Sequence, residues 1–439
     1  MNGAADADRG ADGRNRQGWF GRDAFILTAA RGLRAAGMGI LSVLIAIYLD
    51  LLGLTAAQIG LVLTLSLVGG VLLSVPATAV GDLIGRKRLV VALSLITSLA
   101  GVALSVTDSL VWLAAGSFLG GYAATGMNVG PLLQIEQTAL AEVAPAGRRT
   151  AAFTYLGIVS SASRALGALA AGLPPVLSHL AGIELVDAYR VTFGIYMALN
   201  FAATGLYLFV SPAIEARPSP TGRVFNPFAA RSRYRIFGFS FLLGVDSFAG
   251  GMILDPLIAF WLVNRFGMAE GAIAPVIAVS HLLNMASLWV APRASARFGL
   301  LNTMVWTQVL ANGLVLAFGL APSATIAVGV WLFRGLFNEM DVPTRQSYAM
   351  AVVEPHERMA MAGIANVGRA VGRAASPAVT GLLWTGAAVS IAPFVVATSI
   401  KFAYNAALLL GFRDVRPPEE GQGTSDHSNS PGAPGGSRR

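Results

Sequence analysis

The chain has no cysteine, so disulfides, thiol catalysis and cysteine-ligated metals are excluded. Charge is scarce too. Only 12% of residues are charged, about half of what an ordinary soluble domain carries, so a water-soluble fold is not expected. Histidine is rare, and His179, His281 and His356 are scattered, so they read as loop or core residues and no metal site is expected. The chain has no His-Glu-x-x-His, no nucleophile motif and no Gly-x-x-x-x-Gly-Lys-Ser/Thr loop. Catalysis and ATP-driven pumping by this chain are therefore not expected, and no cofactor is implied. Residues 1–18 lack the apolar stretch of a signal peptide.

What the sequence has in abundance is apolar length. It is 55% hydrophobic over 439 residues, with mean hydropathy +0.64. Runs near the roughly 20 residues that cross a bilayer as a helix fall at 24–49, 56–80, 89–107, 110–137, 150–173, 189–210, 236–262, 270–291, 301–320, 323–350, 361–384 and 389–411. Short loops join nearly all of them. The exception, 211–235, holds Pro212, Pro218, Pro220 and Pro227 and reads as a linker. The expected organisation is a polar tail at 1–21, a six-helix bundle at 22–210, the linker at 211–235, a second six-helix bundle at 236–412 and a tail at 413–439. Both tails are expected to be disordered.

The net charge of +8 follows from topology and does not imply a nucleic-acid partner. One set of inter-span loops holds Arg86, Lys87, Arg88, Arg148, Arg149, Arg217, Arg223, Arg231, Arg233, Arg235, Arg293, Arg297 and Arg358; the opposite set holds Arg190 and Arg265. By the positive-inside rule both termini and the linker are cytoplasmic, and the expected location is the inner membrane. An internal repeat accompanies the two halves. Met127-Asn128-Val129-Gly130-Pro131 in the fourth span echoes Met340-Asp341-Val342-Pro343 in the tenth with one gap, and Arg164, Gly172 and Leu173 correspond to Arg373, Gly381 and Leu382.

Between the second and third spans stands Gly81-Asp82-Leu83-Ile84-Gly85-Arg86-Lys87-Arg88. In residue types and position it resembles the signature loop of the major facilitator superfamily. The resemblance implies an all-α membrane protein of 12 helices in two pseudo-symmetric bundles, with a solute site between them. It also implies a gate latch. Asp82 would accept from backbone amides at the start of the eleventh span, where the helix dipole favours an anion. Arg86 would reach a carboxylate at the end of the fourth span, where Glu142 stands in the family's usual position. The corresponding stretch of the second half, Ala291 to Gly299, has lost the aspartate and the Arg-Lys-Arg run. Gly157, Gly167, Gly172, Pro174 and Pro175 in the fifth span resemble the glycine/proline motif of drug–proton antiporters, interrupted by Arg164. The family's relay arginine is absent from the fourth span, where Gly120-Gly121-Tyr122 stands instead.

Ionisable residues at membrane depth are costly and usually face a cavity or a partner. Eight are basic (Arg31, Arg34, Arg164, Arg334, Arg345, Arg369, Arg373, Lys401) and five acidic (Glu136, Asp246, Asp255, Glu339, Asp341). At 100° per residue, Arg334, Asn338, Asp341 and Arg345 of the tenth span form one narrow polar stripe and Glu339 points elsewhere. Asp246 and Asp255 would then lie on opposite faces of the seventh span, with Asp246 the first choice for a proton-carrying acid and Glu136 and Glu339 in reserve. The leading expectation is a monomeric secondary transporter of a small organic solute, coupled to protons, with a drug or metabolite exporter as one form. A facilitator or proton symporter for an anionic solute is the alternative, motivated by the surplus arginine. A membrane receptor or sensor on the same fold is the reading of another class.

Overall fold

The computed structural model describes residues 21–120, 122, 131–143, 149–214, 232–351, 353, 357–384 and 390–412. The tails at 1–20 and 413–439, most of the linker, and residues 127–130 of the repeat lie outside them, as does His356.

Among the described residues the secondary structure is helical, and twelve membrane crossings account for it. The first is α1 (Arg22–Leu51) and the second α2 (Ala56–Ile84). The third is split into α3 (Arg86–Ala100) and α4 (Val102–Val106), and the fourth into α5 (Leu110–Gly120) and α6 (Pro131–Val143). The fifth is α7 (Arg149–Ala170) with α8 (Leu173–Ala181), and the sixth α9 (Leu185–Leu208). The second half repeats the pattern: α10 (Arg233–Gly251) with α11 (Asp255–Phe266), α12 (Glu270–Phe298), α13 (Leu300–Gly319), α14 (Ala324–Gly335) with α15 (Asp341–Ala351), α16 (Arg358–Leu383) and α17 (Ala392–Phe412). Among the described residues nine segments are long and apolar enough to cross a membrane by length and composition, and α5 and α14 are shorter apolar helices. In α16 Arg358, Arg369 and Arg373 break up the apolar surface. Its crossing is therefore supported by packing against α10 and α2.

Helix packing inside a bilayer relies on small residues that let backbones approach. A Cβ at Gly167 would collide with the Ala36 carbonyl oxygen, and one at Gly69 with that of Phe118. Gly167→Val is therefore expected to destabilise the bundle by about 1–3 kcal/mol through overpacking. Gly157→Ala on the same helix, where nothing lies within 4 Å, should leave thermal unfolding in detergent unchanged. Equal melting of the two variants would contradict the packing argument.

The halves share a register that residue-by-residue comparison makes clear. Gly39 of α1 lies against the Arg164 carbonyl of α7, and Gly251 of α10 lies against the Arg373 carbonyl of α16. Seven residues earlier Gly244 faces the Gly368 carbonyl of α16, and Gly32 faces the side chains of Val159 and Ser163 of α7. The two basic loops also share a turn. Gly85 has φ 97° and Gly299 φ 82°, backbone that favours glycine. The degenerate loop has thus lost its charges but kept its turn.

Among the described residues the two halves make contact at the end opposite the one where α1 begins and α17 finishes. There Thr64 Oγ1 of α2 accepts from the Ala378 amide of α16 at 2.9 Å. A Cβ at Gly60 or Gly381 would strike the facing backbone of Pro377 or Ala56. The Tyr189 hydroxyl donates to Glu270 Oε1 at 2.6 Å, and Asn264 donates to Asp50 at 3.3 Å. We call this the closed end.

Candidate functional site: two buried charge clusters and a half-open cavity

In the N-terminal half the charges converge on one acid. Glu136 of α6 is fully buried and forms an ion pair with Arg34. The Tyr207 hydroxyl of α9 donates to the same carboxylate, and Arg31 lies 3.6 Å from its second oxygen. Arg31 also donates through Nε to Ser160 Oγ of α7 at 3.2 Å. One carboxylate therefore joins helices of the first, fourth and sixth crossings, and Arg31 extends the network to the fifth.

In the C-terminal half the signs are exchanged. Asp246 of α10 accepts from Lys401 of α17 at 2.7 Å and from Arg345 of α15 at 3.1 Å. Arg345 also pairs with Asp341 at 3.0 Å, and Gln308 of α13 donates to Asp341 at 2.6 Å. A basic residue on the first crossing holds an acid on the fourth; an acid on the seventh holds a base on the tenth. Tyr207 and Tyr404 stand by the two pairs from the sixth and twelfth crossings.

The second cluster opens onto a cavity of about 130 Å³, half enclosed and lined among others by Asp246, Asp255, His281, Arg334, Glu339 and Arg373. Two breaks in the helices shape it. The seventh crossing is interrupted at 252–254 and the tenth at 336–340. Pro343 lies in the first turn of α15, where a missing amide is tolerated. These breaks correct two angular expectations. Asp246 and Asp255 both line the cavity, because rotation per residue does not carry through a non-helical gap. Glu339 faces the same space as Arg334, Asn338 and Asp341 for the same reason, since it sits in the gap itself.

Glu339 accepts from the Asn338 amide at 3.1 Å, and among the described residues no cation is in direct contact with it. The Arg334 guanidinium lies 4.6 Å from the centre of the Trp331 ring. Arg164, from the other half, is within electrostatic reach of Asp255 and Glu339. Arg369 donates to Asn366 beside the cavity and does not line it. His281 Nε2 lies 3.7 Å from Asp255 in the cavity wall, which its isolated position in the sequence did not suggest. Tyr207, Ser160, Gln308, Trp331, Asn312 and Asn284 were also missed, because single uncharged residues in apolar helices carry no distinguishing pattern. No group of metal-ligating residues occurs among those described.

The latch residues divide. The side chains of Asp82 and Glu142 lie outside the described residues, and Gly81 shares that stretch. Arg86 donates to the Ile214 carbonyl at 3.5 Å, just after the sixth crossing. Lys87 and Arg88 follow it in the first turn of α3.

The profile of the Major Facilitator Superfamily matches residues 27–377. An uncharacterized membrane protein of Saccharomyces cerevisiae, YJR124C, is 23% identical over 396 residues, covering 82% of this chain and 88% of the yeast protein. Among solved structures, a point mutant of the nucleoside transporter NupG superposes with TM-score 0.71 at 15% identity, over 89% of this chain and 99% of that one. A bacterial homologue of the human lysosomal transporter Spinster, inward-facing and occupied, gives 0.68 at 16% identity, over 89% and 96%. At such identities the likeness to solved structures establishes the fold.

Proposed function

Because the chain belongs to the major facilitator superfamily, we propose that it is a secondary active transporter moving a small organic solute by alternating access, coupled to protons. The observation that carries the reading is the charged cavity lined by Asp246, Arg334 and Glu339, in a chain whose halves touch through Thr64 and Ala378 at one end. Alternating access requires a central site that is closed toward one side of the membrane while it is open toward the other.

The excess of loop arginine at the opposite end supports a cytoplasmic position for that end. On this reading the closed end is external, the state is inward-facing, and both termini and the linker at 211–235 are cytoplasmic in an inner membrane. The bundles at 22–210 and 236–412 are then the moving bodies. The latch of Asp82, Arg86 and Glu142 belongs to the outward-facing state, in which the cytoplasmic ends approach.

Glu339 is the favoured proton carrier. Asp246 and Glu136 are each held by two cations within their own half, whereas Glu339 has an amide for its partner and lines the cavity. A carboxylate whose surroundings change between wet and dry can bind and release a proton.

The test is to impose a pH gradient on proteoliposomes holding the pure protein and measure solute accumulation. Accumulation that follows the gradient supports coupling, and healthy downhill flux indifferent to pH replaces it with facilitation. Absence of flux favours the receptor reading. The chain's freedom from cysteine allows a second check. Cysteine placed at 334 or 341 should react with a charged, membrane-impermeant thiol reagent. Failure at both positions in every state would mean that the cavity wall is dry structure.

A further inference from the structure

We infer that the cavity seats an organic anion whose carboxylate, or a similar oxyanion, docks on Arg334. The inference rests on the transporter reading above and names the solute class for the same site.

Arg334 is the docking group. It is 8% exposed, lines the cavity and stacks on Trp331. Its Nε has no hydrogen-bond partner among the described residues, and no carboxylate pairs with it directly. A buried guanidinium left open in this way costs free energy that a bidentate oxyanion recovers. Two further donors of the same wall are unsatisfied, Trp331 Nε1 and Asn312 Nδ2. Two acceptors are unsatisfied as well, Asn284 Oδ1 and Gln308 Oε1. The solute that completes the site is therefore an acid that also carries a hydroxyl or N–H donor.

The experiment uses the full chain in proteoliposomes and a defined mixture of small hydroxy- and amino-substituted carboxylates, their carboxamides and the matching amines. Equilibration of each class is followed by mass spectrometry against protein-free vesicles. Carboxylates are expected to equilibrate fastest. Arg334→Gln should slow them at least about tenfold, the effect of losing a charge-assisted hydrogen bond. Arg334→Lys, which keeps the charge without the fork, should retain part of the flux. Movement of amines or carboxamides alone, or carboxylate flux that survives Arg334→Gln, would overturn the inference and leave the transporter reading intact. No movement of any class, with the protein monodisperse and reconstituted, would overturn both.

Discussion

Glu136→Gln is expected to destabilise the protein by about 3–5 kcal/mol, the cost of removing one partner from a buried ion pair. The acid is fully buried and two arginines of α1 converge on it, with Tyr207 completing the set. Glutamine fills the space but leaves two guanidinium charges with no anion in direct contact. Arg34→Gln should cost less, because Glu136 then retains Arg31 and Tyr207. The double replacement should be more stable than Glu136→Gln alone, since it removes one of the orphaned charges along with the acid. Thermal unfolding in detergent reads all three. A Glu136→Gln protein that melts with the parent would mean that the N-terminal cluster holds nothing together.

Glu339→Gln should act on coupling and leave the fold in place. Uphill accumulation driven by a pH gradient should disappear, while downhill flux and exchange persist, because the amide keeps the shape of the side chain but cannot carry a proton. Asp246→Asn should behave differently. It leaves Lys401 and Arg345 without their shared acid, so loss of folded protein is expected before any specific transport defect. If Asp246→Asn stays folded and uncouples while Glu339→Gln transports uphill, the roles of the two acids are reversed.

The family and the number of crossings were legible in the sequence because both depend on local signals. Apolar length marks a span, and the Gly81 to Arg88 loop needs its residues only at short range. The charged positions were legible too, since an ionisable side chain in an apolar run stands out. Their partners were not. Nothing in the order of residues says that Glu136 would meet Arg34 across 102 positions, or that Asp246 would sit between Lys401 and Arg345. The helical-wheel argument failed at Glu339 and Asp255 for a definite reason. It assumes 100° per residue without interruption, and both acids adjoin breaks in their helices. The exchange of charge sign between the halves also obscured the repeat, because Arg34 and Asp246 occupy related places with opposite chemistry. The matched glycines Gly39 and Gly251 would have revealed it, since each lies against a backbone carbonyl of the facing helix.

Alternating access requires that the closed end open. Cysteines at Thr64 and Ala378, whose parents are joined by a 2.9 Å hydrogen bond between the halves, can be cross-linked in this cysteine-free chain and released by reduction. Cross-linking is expected to abolish flux of the carboxylate mixture in proteoliposomes, and reduction to restore it. Undiminished flux through a fully cross-linked protein would contradict transport by exchange of the two halves.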